Sequence, residues 1–211
     1  MTKCLFFDCD GTLIDSETVC NKSLSLEFSK AGIHIEPESL TQFRGWELAK
    51  IFQTISSEFK KELPATIRDD YRSTMHDLFD TELNPIEGIH LTLENLDHPK
   101  AIVSSAPREK ILHGLEICDL LKYFDHKHIY SAYDLNIWKP DPKIYIHAAH
   151  DMGYSEDQCI VIEDSLTGVE AGYNANMLTF FFNQYQDLCA FPGVITFESM
   201  RELPRLIKAH I

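Results

Sequence analysis

The sequence predicts an α/β fold in which a doubly wound parallel sheet carries an inserted domain made only of helices. Two observations predict it. Short runs of continuously apolar residues alternate with amphipathic stretches along most of the chain, and one long segment shows helical spacing alone. With 211 residues, the chain is long enough for one core with such an insertion.

Short apolar runs bounded by polar turns have the continuous pattern of strands that are buried on both faces. In chain order they lie at Cys4–Phe7, Ala101–Val103, His128–Tyr130, Ile160–Ile162 and Leu178–Phe182. The stretches between them, such as Ile111–Leu115 and Ile144–Ala149, have the spacing of amphipathic helices. Strand and helix therefore alternate, as they do in a doubly wound parallel sheet.

The segment from residue 16 to residue 80 contains no strand-like run, and its apolar residues follow helical spacing. The clearest stripes are Leu48, Ile51, Phe52, Ile55 and Phe59; Leu24, Phe28 and Ala31; and Ile67, Tyr71, Met75 and Leu78. The turn-forming pairs Asn84-Pro85 and Glu87-Gly88 then mark the linker by which the chain returns to the core. We therefore expect a core at residues 1–15 and 81–211 and a helical domain at residues 16–80.

The composition limits the classes of partner. Apolar residues make up 44% of the chain and charged residues 25%, as in ordinary globular proteins. The formal net charge of −14 repels nucleic acid and anionic lipid, so neither nucleic acid nor a membrane is an expected partner. The same charge repels phosphorylated metabolites, so a site for them must be made locally positive by a metal ion and a few cations.

The cysteines and the apolar runs bear on location. The six cysteines form no Cys-x-x-Cys pair, and several lie in apolar runs, which favours reduced, structural thiols. The first apolar run, Cys4–Phe7, is too short for the core of a signal peptide, and no later run approaches the roughly 20 apolar residues of a membrane span. We therefore expect a cytoplasmic protein.

Two carboxylates close the first predicted strand in the sequence Asp8-Cys9-Asp10-Gly11-Thr12. Because strand side chains alternate, Asp8 and Asp10 can project the same way and share one site. Such crowding is costly unless one carboxyl group is protonated or a cation lies between them. A solvated acidic turn is the alternative interpretation, and the pair alone does not decide between the two.

Polar residues follow later predicted strands as well: Ser104 and Ser105, then Lys139, then Glu163 and Asp164. Each group alone is an ordinary helix cap or solvated turn. Together they lie at the carboxyl ends of parallel strands or in the loops beyond, where open α/β sheets build their binding crevice. Carboxylates from Asp8, Asp10 and Asp164 suit Mg²⁺, and Lys139 adds positive charge.

With these residues in this order, the chain resembles the haloacid dehalogenase-like phosphohydrolases, in the group that carries a helical cap and includes the β-phosphoglucomutases. The motifs of that family stand here as Asp8-x-Asp10-Gly11-Thr12, Ser104, Lys139 and Glu163-Asp164, followed by Ser165-x-x-Gly168-Val169-x-Ala171-Gly172. The resemblance covers nearly the whole chain. It implies a Rossmann-like core, with residues 16–80 as the cap.

The resemblance further implies a Mg²⁺-dependent phosphatase. Asp8 would attack phosphorus to give an aspartyl-phosphate, and Asp10 would protonate the leaving alcohol and then activate water. Ser104, Ser105 and Lys139 would hold the phosphoryl oxygens. Mg²⁺ would be bound by Asp8, the carbonyl group of Asp10 and Asp164, with help from Glu163.

Two other functions stay open. A phosphosugar mutase of the β-phosphoglucomutase type shares the fold and the motifs. Those enzymes resemble one another in a hinge histidine five residues after the aspartate that is Asp15 here, and this sequence has Cys20 at that position, which favours hydrolysis. A phosphate-ligand binding module without turnover is the remoter alternative, and the presence of Asp10 and Lys139 argues against it.

Small phosphorylated metabolites, and sugar phosphates in particular, are the expected substrates. Within the capped phosphatases, the first motif and the segment Trp138-Lys139-Pro140-Asp141-Pro142 most resemble bacterial 6-phosphogluconate phosphatases. Arg44 and Lys50 could meet the hydroxyl groups or the carboxylate of a sugar acid, although solvated cations at helix ends are an equally good interpretation. We expect a monomer or a weak homodimer.

Overall fold

The computed structural model describes residues 3–44, 46 and 48–211. In chain order, the strands and α-helices of these residues are β1 (Cys4–Phe7), α1 (Ser16–Lys30), α2 (Pro37–Leu40), α3 (Leu48–Glu58), α4 (Ile67–Glu82), α5 (Ile89–Glu94), β2 (Lys100–Ser104), α6 (Arg108–Ile117), β3 (Ile129–Ser131), α7 (Ala132–Leu135), α8 (Lys143–Asp151), β4 (Cys159–Glu163), α9 (Leu166–Asn174), β5 (Leu178–Phe182), β6 (Ile195–Phe197) and α10 (Leu203–His210). Short 3₁₀ helices lie at Thr41–Phe43, Leu121–Tyr123, His126–His128, Glu156–Gln158 and Met200–Glu202. None of the helices in the described ranges is long and apolar enough to cross a membrane.

The strands form one parallel sheet in the order β3-β2-β1-β4-β5-β6. Strand β1 is central, with Phe7 opposite Ile102 of β2 and Ile162 of β4. The chain fills one side of β1 with β2 and β3 and then crosses to β4, so the strand order reverses between β1 and β4. Open α/β sheets bind ligands at the carboxyl ends of the strands beside such a reversal. The predicted α/β fold with a doubly wound parallel sheet is confirmed.

All five predicted strands are present, and β6 was not predicted. Strand β6 has three residues, of which Thr196 is exposed and Phe197 is buried. It pairs with β5 at the edge of the sheet. A short edge strand with one exposed side chain lacks the continuous apolar run on which the other predictions rested.

The residues fall into two compact units. The first, here called the sheet unit, comprises the chain up to Ile14 and from Asn84 to Ile211; the second, the helical unit, runs from Asp15 to Leu83. The predicted domain limits at residues 1–15, 16–80 and 81–211, and the role of the insertion as a cap, stay predictions.

Each unit has its own apolar core. In the sheet unit, the ring of Phe6 on β1 stacks on Tyr145 of α8 at a centroid distance of 6.3 Å. In the helical unit, Phe52 of α3 packs edge-on against Phe28 of α1 and Tyr71 of α4. The inclusion of Phe59 in the α3 stripe was wrong, because the helix ends at Glu58 and the Phe59 side chain is exposed.

Candidate active site

Asp8 lies at the carboxyl end of the central strand. Its backbone N–H group donates to the carbonyl oxygen of Ile162 at 3.0 Å, which extends the pairing of β1 with β4 by one residue beyond Phe7. The residue is only 7% exposed. The sheet therefore fixes the backbone of Asp8, and its side chain is almost fully buried.

Lys139 connects the carboxylates of the two strands that flank the reversal. Its ammonium group donates to Asp8 Oδ1 at 2.5 Å, to the carbonyl oxygen of Val103 at 2.8 Å and to Glu163 Oε1. Burial alone lowers the pKa of Lys139, but attraction to Asp8 and Glu163 outweighs it and raises the pKa well above the usual range. Lys139 is therefore an ammonium ion at neutral pH.

Glu163 ends β4 in full burial, and each of its oxygens has donors. Besides the lysine, Oε1 accepts from the hydroxyl group of Tyr145 at 3.0 Å. Oε2 accepts from the backbone N–H groups of Asp164 and Ser165 at 3.1 Å each and from the Ser165 hydroxyl group at 2.9 Å. A Cβ atom on Gly168 would lie 1.8 Å from Oε1, so α9 can approach only with glycine there. This set of donors suits a carboxylate that positions its neighbours.

Asp164 faces the loop that follows β1. The hydroxyl group of Thr12 donates to Asp164 Oδ1 at 3.1 Å. Gly11 has a φ of +81°, and a Cβ atom on it would lie 2.1 Å from Asp164 Oδ2. Both the left-handed backbone and the close approach therefore require glycine at this position.

The carboxylates of Asp8, Glu163 and Asp164 form a cluster that could hold a metal ion, with one oxygen of each within 4.8 Å of the others. Burial raises the pKa of Asp8 to about 7 even though Lys139 lowers it. Burial, followed by repulsion from Asp8 and Glu163, raises the pKa of Asp164 well above its usual range. The cluster has three carboxyl groups and one lysine, and hard oxygen donors of this kind fit a divalent cation, which would favour their ionised forms.

Asp10 has a partner that the sequence did not predict. Lys110, in α6, donates to Asp10 Oδ1 at 2.8 Å. No motif marks Lys110, since it lies six positions after Ser104 within a helix. One signal could have pointed to it: a cation in the first turn of a helix opposes the helix dipole and calls for another explanation.

The two predicted phosphate-binding serines differ in environment. Ser104 ends β2 and is 1% exposed, and its Oγ accepts from the backbone N–H group of Ala106 at 3.1 Å. Ser105 is exposed. The hydroxyl group of Ser131, at the end of β3, donates to the carbonyl oxygen of Ala106 at 2.7 Å and so fixes the same turn.

The two residues proposed for substrate specificity lie in the helical unit. Arg44 follows the 3₁₀ helix at Thr41–Phe43 and lines a cavity of about 160 Å³ together with Cys20, Trp46 and others. The ammonium group of Lys50, in α3, lies 3.9 Å from the centre of the Trp46 ring. Their role in specificity stays a prediction.

The sequence of this chain matches that of a known protein family. A sequence model described as haloacid dehalogenase-like hydrolase matches residues 5–182. The chain belongs to that family. The match spans β1 to β5 and includes every predicted site residue of this hydrolase.

Individual proteins are also similar to this chain in sequence or in structure. A 6-phosphogluconate phosphatase of Escherichia coli K12 is 37% identical over 209 residues, which cover 97% of this chain and 94% of the relative. A solved haloacid dehalogenase-like protein of unknown function from Agrobacterium tumefaciens shares 28% identity at a TM-score of 0.86, covering 100% of this chain and 99% of its own. An HAD family hydrolase from Deinococcus radiodurans, solved with phosphate and sodium, has the same fold at 24% identity and a TM-score of 0.87, covering 99% and 96%.

These findings confirm the predicted family, the similarity to bacterial 6-phosphogluconate phosphatases and the enzyme class, phosphoric monoester hydrolase. Five of the predicted residues, namely Asp8, Asp10, Lys139, Glu163 and Asp164, lie in or beside the group of charged side chains after β1 and β4. Their individual roles in this hydrolase stay predictions.

Proposed function

We propose that the chain is a Mg²⁺-dependent phosphatase that hydrolyses small phosphorylated metabolites through an aspartyl-phosphate on Asp8. The observation that supports this most is the environment of Asp8. Its carboxylate lies 2.5 Å from the ammonium group of Lys139 and within 4.8 Å of the carboxylates of Glu163 and Asp164. A nucleophile, a cation for phosphoryl oxygens and oxygen ligands for a metal thus share one edge of the sheet.

In the first step, a carboxylate oxygen of Asp8 attacks phosphorus, and the bond between phosphorus and the ester oxygen breaks. Asp10 gives the departing oxygen its proton. In the second step, the resulting Asp10 carboxylate takes a proton from water, and the water oxygen attacks phosphorus. The bond between the Asp8 oxygen and phosphorus breaks, which restores the Asp8 carboxylate and releases inorganic phosphate. Lys139 and the hydroxyl group of Ser104 donate to the phosphoryl oxygens in both steps. We assign Ser105 as a third hydrogen-bond donor to these oxygens.

Asp8, Asp164 and the carbonyl group of Asp10 would hold the metal ion, and Glu163 would keep Asp164 and Lys139 in place. The carboxylate donors are the kind of ligand that Mg²⁺ prefers. When bound, Mg²⁺ supplies positive charge that offsets the repulsion between an anionic nucleophile and an anionic phosphate.

Sugar phosphates are the substrate class that we propose, with 6-phosphogluconate as the first candidate, because the chain is 37% identical to an enzyme of that name over nearly its full length. A mutase activity has less support. Cys20 lies in α1, where its thiol contacts the sulfur of Met75 at 3.9 Å, and it carries no imidazole for proton transfer.

The test is phosphate release from a panel of phosphorylated metabolites that includes 6-phosphogluconate, with and without Mg²⁺. We expect release only with Mg²⁺, and we expect Asp8→Asn to abolish it. Asp97→Asn, which changes an exposed aspartate of the sheet unit, is the matched control and leaves the rate unchanged. Turnover by Asp8→Asn would refute the proposed intermediate.

The mutase alternative is tested in the same experiment. Glucose 1-phosphate is supplied together with a bisphosphate activator, and the products are separated. A phosphatase releases inorganic phosphate and glucose. Isomerised sugar phosphate in place of inorganic phosphate would overturn the proposal of hydrolysis.

A further inference from the structure

Lys110 contacts Asp10, but no step of the proposed mechanism involves this lysine. The ammonium nitrogen lies 2.8 Å from Asp10 Oδ1, and the two side chains are 34% and 30% exposed. The pair is therefore half-buried, in a part of the sheet unit where the neighbouring lysine, Lys139, is almost fully buried. The contact joins residues that are 100 positions apart in the sequence.

The position of Lys110 in its helix argues against a role in helix stability. α6 begins at Arg108, so Lys110 lies in the first turn, where the unpaired N–H groups and the helix dipole favour acidic side chains. Glu109 is the acidic residue of that turn. The helix dipole does not favour a lysine in the same turn, and the side chain of Lys110 forms an ion pair with Asp10 there.

The packing of α6 also fixes the direction in which Lys110 projects. Its neighbour Ile111 is 1% exposed and, with Gly114 and Leu115, forms the buried face of α6. Helix rotation is therefore fixed by packing, and the lysine emerges at a set place beside the loop that follows β1. A side chain anchored in this way can hold a carboxylate in one orientation.

We propose that Lys110 is a positioning residue for Asp10, a role that rests on the proposed function. By binding Oδ1, it restricts rotation of the carboxyl group, and the proton passes through the other oxygen. When the bond from Asp8 to phosphorus forms and the ester bond breaks, Asp10 gives its proton to the departing oxygen and becomes a carboxylate. The ammonium group of Lys110 already faces that charge, so no rearrangement is needed at that moment.

The experiment compares two substrates that differ in their need for the proton. A sugar phosphate releases an alkoxide, which needs a proton as it leaves, whereas 4-nitrophenyl phosphate releases a stabilised phenolate, which does not. The quantity measured is kcat/KM with Mg²⁺, since it reports the steps up to transfer of the phosphoryl group. The variants are Lys110→Met, Lys110→Arg and Asp10→Asn. Lys122→Met, which breaks an exposed ion pair with Asp119, is the matched control.

We expect Lys110→Met to lower kcat/KM about 10- to 100-fold for the sugar phosphate and at most about threefold for 4-nitrophenyl phosphate. Lys110→Arg keeps the cation and restores the sugar phosphate activity to within about fivefold of the parent. Equal losses of kcat/KM on both substrates would mean that Lys110 binds the phosphate group, which would overturn the proposal. A kcat/KM of Lys110→Met equal to that of the parent enzyme would overturn it as well.

Asp10→Asn separates failure of this inference from failure of the proposed function. Suppose that Asp10→Asn loses more kcat/KM on the sugar phosphate than on 4-nitrophenyl phosphate and that Lys110→Met does not. In that case only the positioning role of Lys110 is wrong. If Asp10→Asn shows no such difference, the assignment of Asp10 as the acid is wrong, and the role of Lys110 falls with it. Lys122→Met should match the parent enzyme on both substrates.

Discussion

At the scale of single residues, one buried ammonium group forms ion pairs with two buried carboxylates. Lys139 is 4% exposed and donates to side chains that are 10% and 0% exposed. Removing one member of a buried ion pair leaves the other charge without compensation, which costs far more than losing a surface pair. The same lysine serves stability and the proposed chemistry.

We therefore predict that Lys139→Met lowers the free energy of unfolding by about 3–5 kcal/mol and kcat by at least about 100-fold. Without the lysine, the pKa of Asp8 rises further, because Lys139 is the group that lowers it. Urea unfolding at neutral pH and phosphate release measure the two effects. Lys122→Met removes an exposed lysine and should change neither. Unaltered stability in Lys139→Met would contradict the described ion pairs.

The sequence was sufficient to place residues at the strand ends and Lys139 beside them, but it did not predict the contacts that Lys110 and Tyr145 make from the helices. Asp8 and Glu163 could be predicted because the buried runs of β1 and β4 end there. The contacts of Lys110 with Asp10 and of Tyr145 with Glu163 depend on how helices pack on the sheet. Local spacing carries no information on that packing.

At the scale of elements, two glycines with different neighbours allow α9 to pack closely on the sheet. A Cβ atom on Gly168 would lie 1.8 Å from Glu163 Oε1, whereas one on Gly172 would lie 2.7 Å from Thr179 Oγ1 and 3.1 Å from Val161. The first glycine leaves room for a site residue, and the second leaves room for core side chains. One helix thus offers a matched pair of substitutions.

We predict that Gly168→Ala and Gly172→Ala each lower the free energy of unfolding by about 1–3 kcal/mol, the usual cost of overpacking. Only Gly168→Ala should also lower kcat, by about tenfold or more, because it displaces Glu163 and with it the contact to Lys139. Thermal unfolding and phosphate release, measured on the same preparations, distinguish the two. Equal kcat in both variants would show that Glu163 does not position the site.

At the scale of the whole molecule, the net charge of −14 is most costly where carboxylates are buried together. The pKa of Asp8 is raised from 3.8 to about 7. Between these values the folded protein holds a proton that the unfolded chain has lost, so the free energy of unfolding falls as pH rises through this window. A bound divalent cation favours the ionised carboxylates and reverses that loss.

We therefore predict that Mg²⁺, at a concentration roughly 100 times its Kd, raises the Tm by about 5–10 °C at about pH 8. The rise in Tm at about pH 6 should be smaller. Asp164→Asn removes one carboxylate of the cluster, so it should stabilise the Mg²⁺-free protein at the higher pH and abolish the Mg²⁺ response. Thermal scans in the two buffers, with and without Mg²⁺, measure these shifts. A Mg²⁺ effect that is independent of pH would contradict the assigned cluster.

The way in which the chain leaves and re-enters the sheet unit has a consequence for how such proteins diversify. Ile14 forms an antiparallel bridge with Pro85, and the backbone N–H group of Ile86 donates to the carbonyl oxygen of Leu13 at 3.0 Å. The two ends of the intervening segment are thus tied together inside the sheet unit. A segment of another length or fold whose ends lie close together can be exchanged at this point without shifting the register of β1 and β2. An exchange of the insert would therefore leave the proposed catalytic residues in place on the sheet unit.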